Sequence, residues 1–158
     1  YNSINVIMLG VNNESLCDKS AIYIPDETVL PHRVCFMGYF SKNMVPSGAS
    51  SLIAEVTTNS GDGIHEMSDD QMIERVKNDL DRIDILNKKN VIASDVVRFT
   101  YGYPVPDINY LKNIKPVRDY FKDIGVELCG RFAEFEYINM DECLKRAMAL
   151  AEKINQTA

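Results

Sequence analysis

Apolar residues come in short blocks over the first third of this chain and in helical stripes later. Residues 3–11 (SINVIMLGV) are a continuous apolar run too short for a helix, which predicts a buried strand. Segment 20–24 (SAIYI) predicts a second short strand, closed by a Pro25-Asp26 turn. Residues 33–40 (RVCFMGYF) predict a third strand and 50–58 (SSLIAEVTT) a fourth. Between them, 41–49 (SKNMVPSGA) carries Pro and Gly and reads as a surface loop. Four β-rich runs separated by turns predict an antiparallel sheet.

The period changes after the polar loop 59–66 (NSGDGIHE). Ser68 and Gln71 have capping-box spacing, Met67 and Met72 that of a hydrophobic staple. Met72, Ile73, Val76, Leu80 and Ile83 then mark one helical face. Residues 91–101 (VIASDVVRFTY) predict a long strand, ended at Tyr101-Gly102-Tyr103-Pro104 because proline cannot continue a central ladder. Asp107 caps a short predicted helix through about Lys112, and Pro116 opens a second one that stops at Gly125. A last strand is expected at 126–130 (VELCG). The final helix carries Met140, Leu144, Ala147, Met148, Ala151 and Ile154 on one stripe.

At 158 residues the chain can bury a real core. Its net charge of −6 argues against an extended nucleic-acid surface but leaves room for a local basic pocket holding one small anion. No apolar run approaches the roughly 18–20 residues that cross a membrane. Cys17, Cys35, Cys129 and Cys143 form no CxxC and match no common zinc spacing, so no metal is expected and a reducing cytoplasm is the simplest location. The chain opens as YNSINVIMLGV, without an initiator Met and at the edge of a strand, which reads as an excerpt from a longer protein.

Few residues carry chemistry by spacing alone. No glycines form GxGxxG or a P-loop, so the chain has no dinucleotide fingerprint of its own. Gly61 and Gly63 read as turn residues. Arg33 can clamp a phosphate or carboxylate, or serve as a solvated strand-end charge. His32 with Cys35 lacks a partner pair for a metal, and His65-Glu66 is not HExxH because position 69 is Asp. No catalytic triad is evident, and no catalytic side chain is singled out. Tyr103 and Tyr137 suit stacking on a sugar or flavin, or half-buried packing. Gly130-Arg131 combines close backbone approach with a phosphate-binding fork. Ten residues on, a helix begins near Met140-Asp141 with Asn139 as N-cap. That stretch is either an anion site or an ordinary strand–loop–helix unit.

The segment GRFAEFEYINMDECLKRAMALAEKI at 130–154 resembles the C-terminal end of UDP-galactopyranose mutases and related flavin-containing amine oxidase or protoporphyrinogen oxidase-like proteins. YPVPD at 103–107 and HRVCFMGYFSKNMVPSGASSLIAEVT at 32–57 extend the resemblance, the latter toward the oxidase-like branch. It implies an α+β fragment: residues 1–124 as part of a substrate domain, an antiparallel sheet with flanking helices. Residues 125–158 would be the strand and helix that return to a two-domain FAD-binding α/β fold whose N-terminal Rossmann part is absent. The resemblance places Gly130, Arg131, Asn139, Met140 and Asp141 at the cofactor, Arg131 near the FAD pyrophosphate and the Met140 backbone at the flavin pyrimidine edge. Arg33, Tyr103 and Tyr137 fall on the substrate side, where the mutases hold a nucleotide-sugar diphosphate. Mutases usually have Tyr at the position of Phe135 and Asp at that of Asn139, which counts against the mutase substrate.

The resemblance therefore implies an FAD-dependent oxidoreductase of bacterial cytoplasm, acting in nucleotide-sugar, polysaccharide or lipopolysaccharide biosynthesis. The alternative is a mutase-like isomerase using reduced FAD. A non-catalytic α+β binding module is the reading of another class. By itself the fragment is expected to be inactive and to self-associate through exposed apolar residues of the last helix, such as Leu144, Met148 and Ala151. A small molecule is the expected partner, with no nucleic acid.

Overall fold

The computed structural model describes residues 1–157. The chain is α+β, with a five-stranded antiparallel sheet in the order β2-β3-β4-β1-β5. The strands are β1 (Asn2–Val11), β2 (Ala21–Tyr23), β3 (Arg33–Phe36), β4 (Ser50–Thr58) and β5 (Val91–Tyr103). The helices are α1 (Met37–Phe40), α2 (Asp69–Arg82), α3 (Tyr110–Asp123) and α4 (Met140–Thr157). Contacts divide the chain into two compact units. One is Asn2–Gly102; the other is Tyr1 with the chain from Tyr103 on.

In the Asn2–Gly102 unit the longest ladder pairs β1 with β4, from Ser3 opposite Thr58 to Val11 opposite Ser50. β3 pairs with β4, Arg33 opposite Glu55, and β2 pairs with β3, Tyr23 opposite Arg33. Gly10 lies against Ala93 while Gly102 lies against Asn2 and Ile4, so β5 runs antiparallel to β1. A Cβ on Gly102 would come within 2.6 Å of Ile4 Cγ2, which explains a glycine in this strand.

Alternation decides the faces. Ile7, Leu9, Val34, Phe36, Leu52, Ala54 and Val56 point to one side and are buried with Met72, Val76 and Leu80 of α2. That helix starts as its sequence predicts. The Ser68 hydroxyl accepts from the Gln71 N–H at 3.3 Å, and the Gln71 side chain accepts from the Ser68 N–H at 2.9 Å. Asp79 on its inner side is buried but satisfied, accepting from the Leu30 N–H and Arg75 Nε, each at 2.9 Å. The opposite face of the sheet carries Val6, Met8, Cys35, Ile53, Arg33 and Glu55.

Three expected elements differ. The strand read at 33–40 stops at Phe36, and Met37–Phe40 turn into one helical turn. The β3–β4 ladder ends at Phe36 opposite Leu52, so the next residues satisfy their backbone locally; Ser41 Oγ accepts from the Asn43 N–H at 3.2 Å. The two helices expected around Pro116 are one, Tyr110–Asp123. The carbonyl that Pro116 leaves unbonded belongs to Lys112, and both residues lie on the exposed side, where solvent takes over that bond. Gly125 does stop the helix, in the left-handed region at φ +75°. Its N–H donates to the Lys122 carbonyl and that of Val126 to the Phe121 carbonyl, a Schellman motif.

The strand expected at 126–130 is absent among the described residues. The Val126 N–H is used by the helix cap and the Gly130 N–H by the Glu134 carboxylate at 2.8 Å, while Gly130 has φ +93°. No described helix is long and apolar enough to cross a membrane.

Candidate functional site

In the unit that runs from Tyr103, the loop 130–139 is shaped by charge and by two left-handed residues. Gly130 tolerates its positive φ without a Cβ penalty. Phe135, at φ +52°, does not, and non-glycine residues hold that region only where surroundings fix them. Here the Phe135 ring sits edge-on to Tyr1 at 4.8 Å and stacks with Tyr110 at 6.1 Å. The Tyr110 hydroxyl donates to the Phe135 carbonyl at 2.7 Å. Further bonds close the turn: Glu134 N–H to the Gly130 carbonyl at 2.9 Å and Glu136 N–H to that of Arg131 at 3.0 Å.

Two arginines tie this loop to its helices. Arg118 of α3 donates to the Glu134 carbonyl at 2.6 Å and to Glu136 Oε1 at 2.7 Å. Arg146 of α4 donates to Glu136 Oε2 at 2.8 Å, Glu134 Oε1 at 2.9 Å and Glu142 Oε1 at 3.1 Å. The Glu136 carboxylate therefore bridges both guanidinium groups. Burial pushes its pKa up, but the hydrogen bonds from Arg146 and Arg118 outweigh it and hold the carboxyl below its ordinary 4.5.

Arg131 is the residue this scaffold presents. Its Cζ lies 4.3 Å from the Tyr137 ring centroid and 4.6 Å from that of Tyr103. The two rings are themselves stacked at 5.9 Å with 26° between their planes. Nη1 donates to the Ile138 carbonyl at 3.3 Å. Nε and Nη2 are buried and have no hydrogen-bond partner among the described residues. A buried guanidinium edge left unpaired is costly and is found where a further group completes it. Beside it Gly130 faces open space, with no atom within 4 Å of where a Cβ would stand. Asn139 accepts the first helical bond of α4 from Cys143, and Met140 and Asp141 follow as exposed first-turn residues. The free N–H groups there add partial positive charge.

The structure thus gathers Gly130, Arg131, Tyr103, Tyr137, Asn139, Met140 and Asp141 in one unit. Arg33 belongs to the other, on β3. Its Nη2 is held by Glu55 Oε1, and Nη1 reaches the Tyr23 hydroxyl at 3.4 Å. The Glu55 hydrogen bond holds Arg33 more firmly protonated than usual, against the effect of burial. His32 Nε2 stands 3.9 Å from Glu55 Oε2, and burial lowers the His32 pKa although Glu55 opposes it. Sequence reasoning missed Glu55, Arg118 and Arg146. An acid inside the otherwise apolar SLIAEV was the visible signal for Glu55; the two arginines sit among ordinary helix-surface charges and gave none.

The described residues hold no group of His, Cys, Asp or Glu able to bind a metal. A cavity of about 720 Å³ lined by Cys17, Tyr39 and Lys42 contains none of the expected site residues. A second, of about 390 Å³, lies along Met8, Met37, Ile53 and Ala93, on the sheet face that carries Glu55.

No family model matches this chain, and no curated protein does. Solved structures do. A reduced UDP-galactopyranose mutase superposes with a TM-score of 0.73 at 23% identity, over 84% of this chain and 28% of the mutase. A candidate protoporphyrinogen oxidase from Exiguobacterium sp. 255-15 superposes with a TM-score of 0.74 at 16% identity, over 99% of this chain and 35% of the oxidase. The chain shares the fold of part of each of these proteins and spans about a third of their length or less.

The Glu136 bridge makes a pH-dependent prediction. Its pKa is depressed by folding, so its contribution is full above the unfolded value of about 4.5 and is lost as pH falls through the folded value. Glu136→Gln should cost about 1–3 kcal/mol in urea unfolding at neutral pH. The gap between the two proteins should close below the folded pKa; a gap that persists in acid would contradict the bridge.

Proposed function

We propose that this chain is the C-terminal portion of an FAD-dependent oxidoreductase of the amine oxidase-like type, with a small molecule as substrate. The observation that carries this reading is Arg131. It is fixed against two tyrosines, keeps two buried donors unpaired, and stands in a loop that leads straight to the first turn of α4. That chemistry suits a pyrophosphate, since a guanidinium offers parallel donors and a helix start adds oriented N–H groups. Residues 125–158 would then hold the cofactor and residues 1–124 would form part of the substrate domain. Gly130 lets the ligand approach the backbone, Arg131 takes the pyrophosphate, and the Asn139–Asp141 turn meets the flavin edge. Tyr103 and Tyr137 orient Arg131 and line the substrate side. FAD, when bound, supplies the redox chemistry; the side chains supply position and charge.

A mutase-like isomerase is the second reading, favoured by the Tyr103–Tyr137 pair that the resemblance assigns to a nucleotide-sugar diphosphate. Phe135 speaks less against it than its missing hydroxyl implies, because the ring packs on Tyr1 and Tyr110. Asn139 keeps its weight as a departure. A role in nucleotide-sugar or lipopolysaccharide biosynthesis in the cytoplasm fits either reading.

The apolar stripe of α4 supports a further body of protein against it. Cys143, Arg146 and Leu150 are partly buried, whereas Met140, Leu144 and Met148 are 84%, 66% and 66% exposed. An amphipathic helix that turns its apolar side outward is made to be covered. We assign that cover to an upstream Rossmann part of the same polypeptide.

Two measurements test these readings. Expressed together with whatever precedes it in its gene, the protein should purify yellow, with the visible absorption of a flavin. Arg131→Ala should lower flavin content about tenfold, the loss of a charge-assisted hydrogen bond. A folded, colourless protein would sink the flavin assignment and favour the binding-module reading. The 158-residue chain alone should form dimers by analytical ultracentrifugation, and Leu144→Glu with Met148→Glu should make it monomeric. A wild-type chain that stays monomeric at high concentration contradicts the exposed-stripe argument.

A further inference from the structure

The sheet face opposite α2 carries a polar cluster whose charges are already paired. Tyr23, Arg33 and Glu55 lie in register on β2, β3 and β4. The Glu55 side chain is 10% exposed and gives Oε1 to Arg33 Nη2. The pair is therefore neutral, and an arginine so paired offers no net charge to a phosphate. A phosphate would also have to approach the Glu55 carboxylate, a like charge in a desolvated place.

Hydrogen-bonding capacity remains. Glu55 Oε2, Arg33 Nε and His32 Nδ1 are buried and unpartnered. His32 Nε2, at 3.9 Å from Glu55 Oε2, is too far for a direct bond and close enough to close on a shared group. One acceptor beside guanidinium and imidazole nitrogens matches a hydroxyl, which donates and accepts at once. An ammonium cannot accept from Arg33, and a phosphate, although its protonated oxygens can donate, brings negative charge against the Glu55 carboxylate. The same face continues into the apolar cavity along Met8, Met37 and Ile53.

We propose that Glu55 is a specificity-determining residue, which makes the Tyr23–His32–Arg33–Glu55 cluster a seat for an uncharged, hydroxyl-bearing group such as a sugar ring and closes Arg33 to phosphate. This rests on the substrate-side reading of the sheet for its purpose, but it is a property of this face with or without flavin. The His32 and Arg33 side chains are 42% and 27% exposed, so a ligand would reach the buried atoms only if those side chains turned outward.

The test is an NMR titration of the 158-residue chain, following the Arg33 Nε–H and the His32 ring, with methyl β-D-galactopyranoside and inorganic phosphate as probes. The pyranoside should give saturable shifts at both residues, and phosphate should give none. Glu55→Gln replaces the acceptor oxygen by a donor and leaves Arg33 charged. It should weaken the pyranoside about tenfold and let phosphate bind at least tenfold more tightly than to wild type. Saturable phosphate binding at Arg33 in the wild-type chain, or no response to the pyranoside, overturns the proposal. These wild-type titrations decide it even if Glu55→Gln does not fold. Flavin content plays no part in the readout, so failure here leaves the cofactor assignment standing, and a colourless protein leaves this one standing.

Discussion

The Glu136 carboxylate is the constraint on which the candidate site depends. Each of its oxygens takes a different arginine, Arg118 from α3 and Arg146 from α4, so one side chain joins two helices to the loop between them. That bridge acts together with the Tyr1 and Tyr110 rings and the Tyr110 hydroxyl bond to hold Phe135 in the left-handed region. With it, the turn from Gly130 to Ile138 closes and Arg131 is left pointing at the two tyrosines. The strain at Phe135 is thus a structural cost borne by an ion-pair network and an aromatic cluster, and its return is a fixed guanidinium with unsatisfied donors.

A different economy governs the sheet. There the arginine that looked available, Arg33, is neutralised by its cross-strand neighbour Glu55. The two arginines first singled out in the sequence therefore have opposite standing. Arg131 is paired with π-faces, which leave its donors and its charge in play; Arg33 is paired with a carboxylate, which cancels its charge. Residue type alone does not separate these cases, because both sit beside tyrosines.

Much of the fold was legible because it rests on local rules. The alternation in β1 and β4, the Ser68–Gln71 capping box, the α2 stripe from Met72 to Leu80 and the Gly125 stop each follow from a few neighbouring residues. What was illegible depended on partners. Residues 37–40 look like strand by composition, and only the end of the β3–β4 ladder shows why they are not. Pro116 looks like a helix start, and only exposure explains how one helix runs through it. The loop at 126–130 has strand composition, but its donors are claimed by a helix cap and by Glu134. At the candidate site, Arg131 for the cofactor and Tyr103 and Tyr137 for the substrate could be named from a resemblance, as separate residues and not as the cluster they form. The network that holds it could not, since Arg118, Glu136 and Arg146 come together only when the loop closes.

The most direct test of this account is a crystal structure, with FAD added, of the protein expressed from its whole gene. The account predicts a pyrophosphate oxygen hydrogen-bonded to Arg131 through the Nε or Nη2 left unpaired here, with the Glu136 bridge intact. FAD bound with its pyrophosphate away from Arg131, and that guanidinium edge still unpaired, would contradict it.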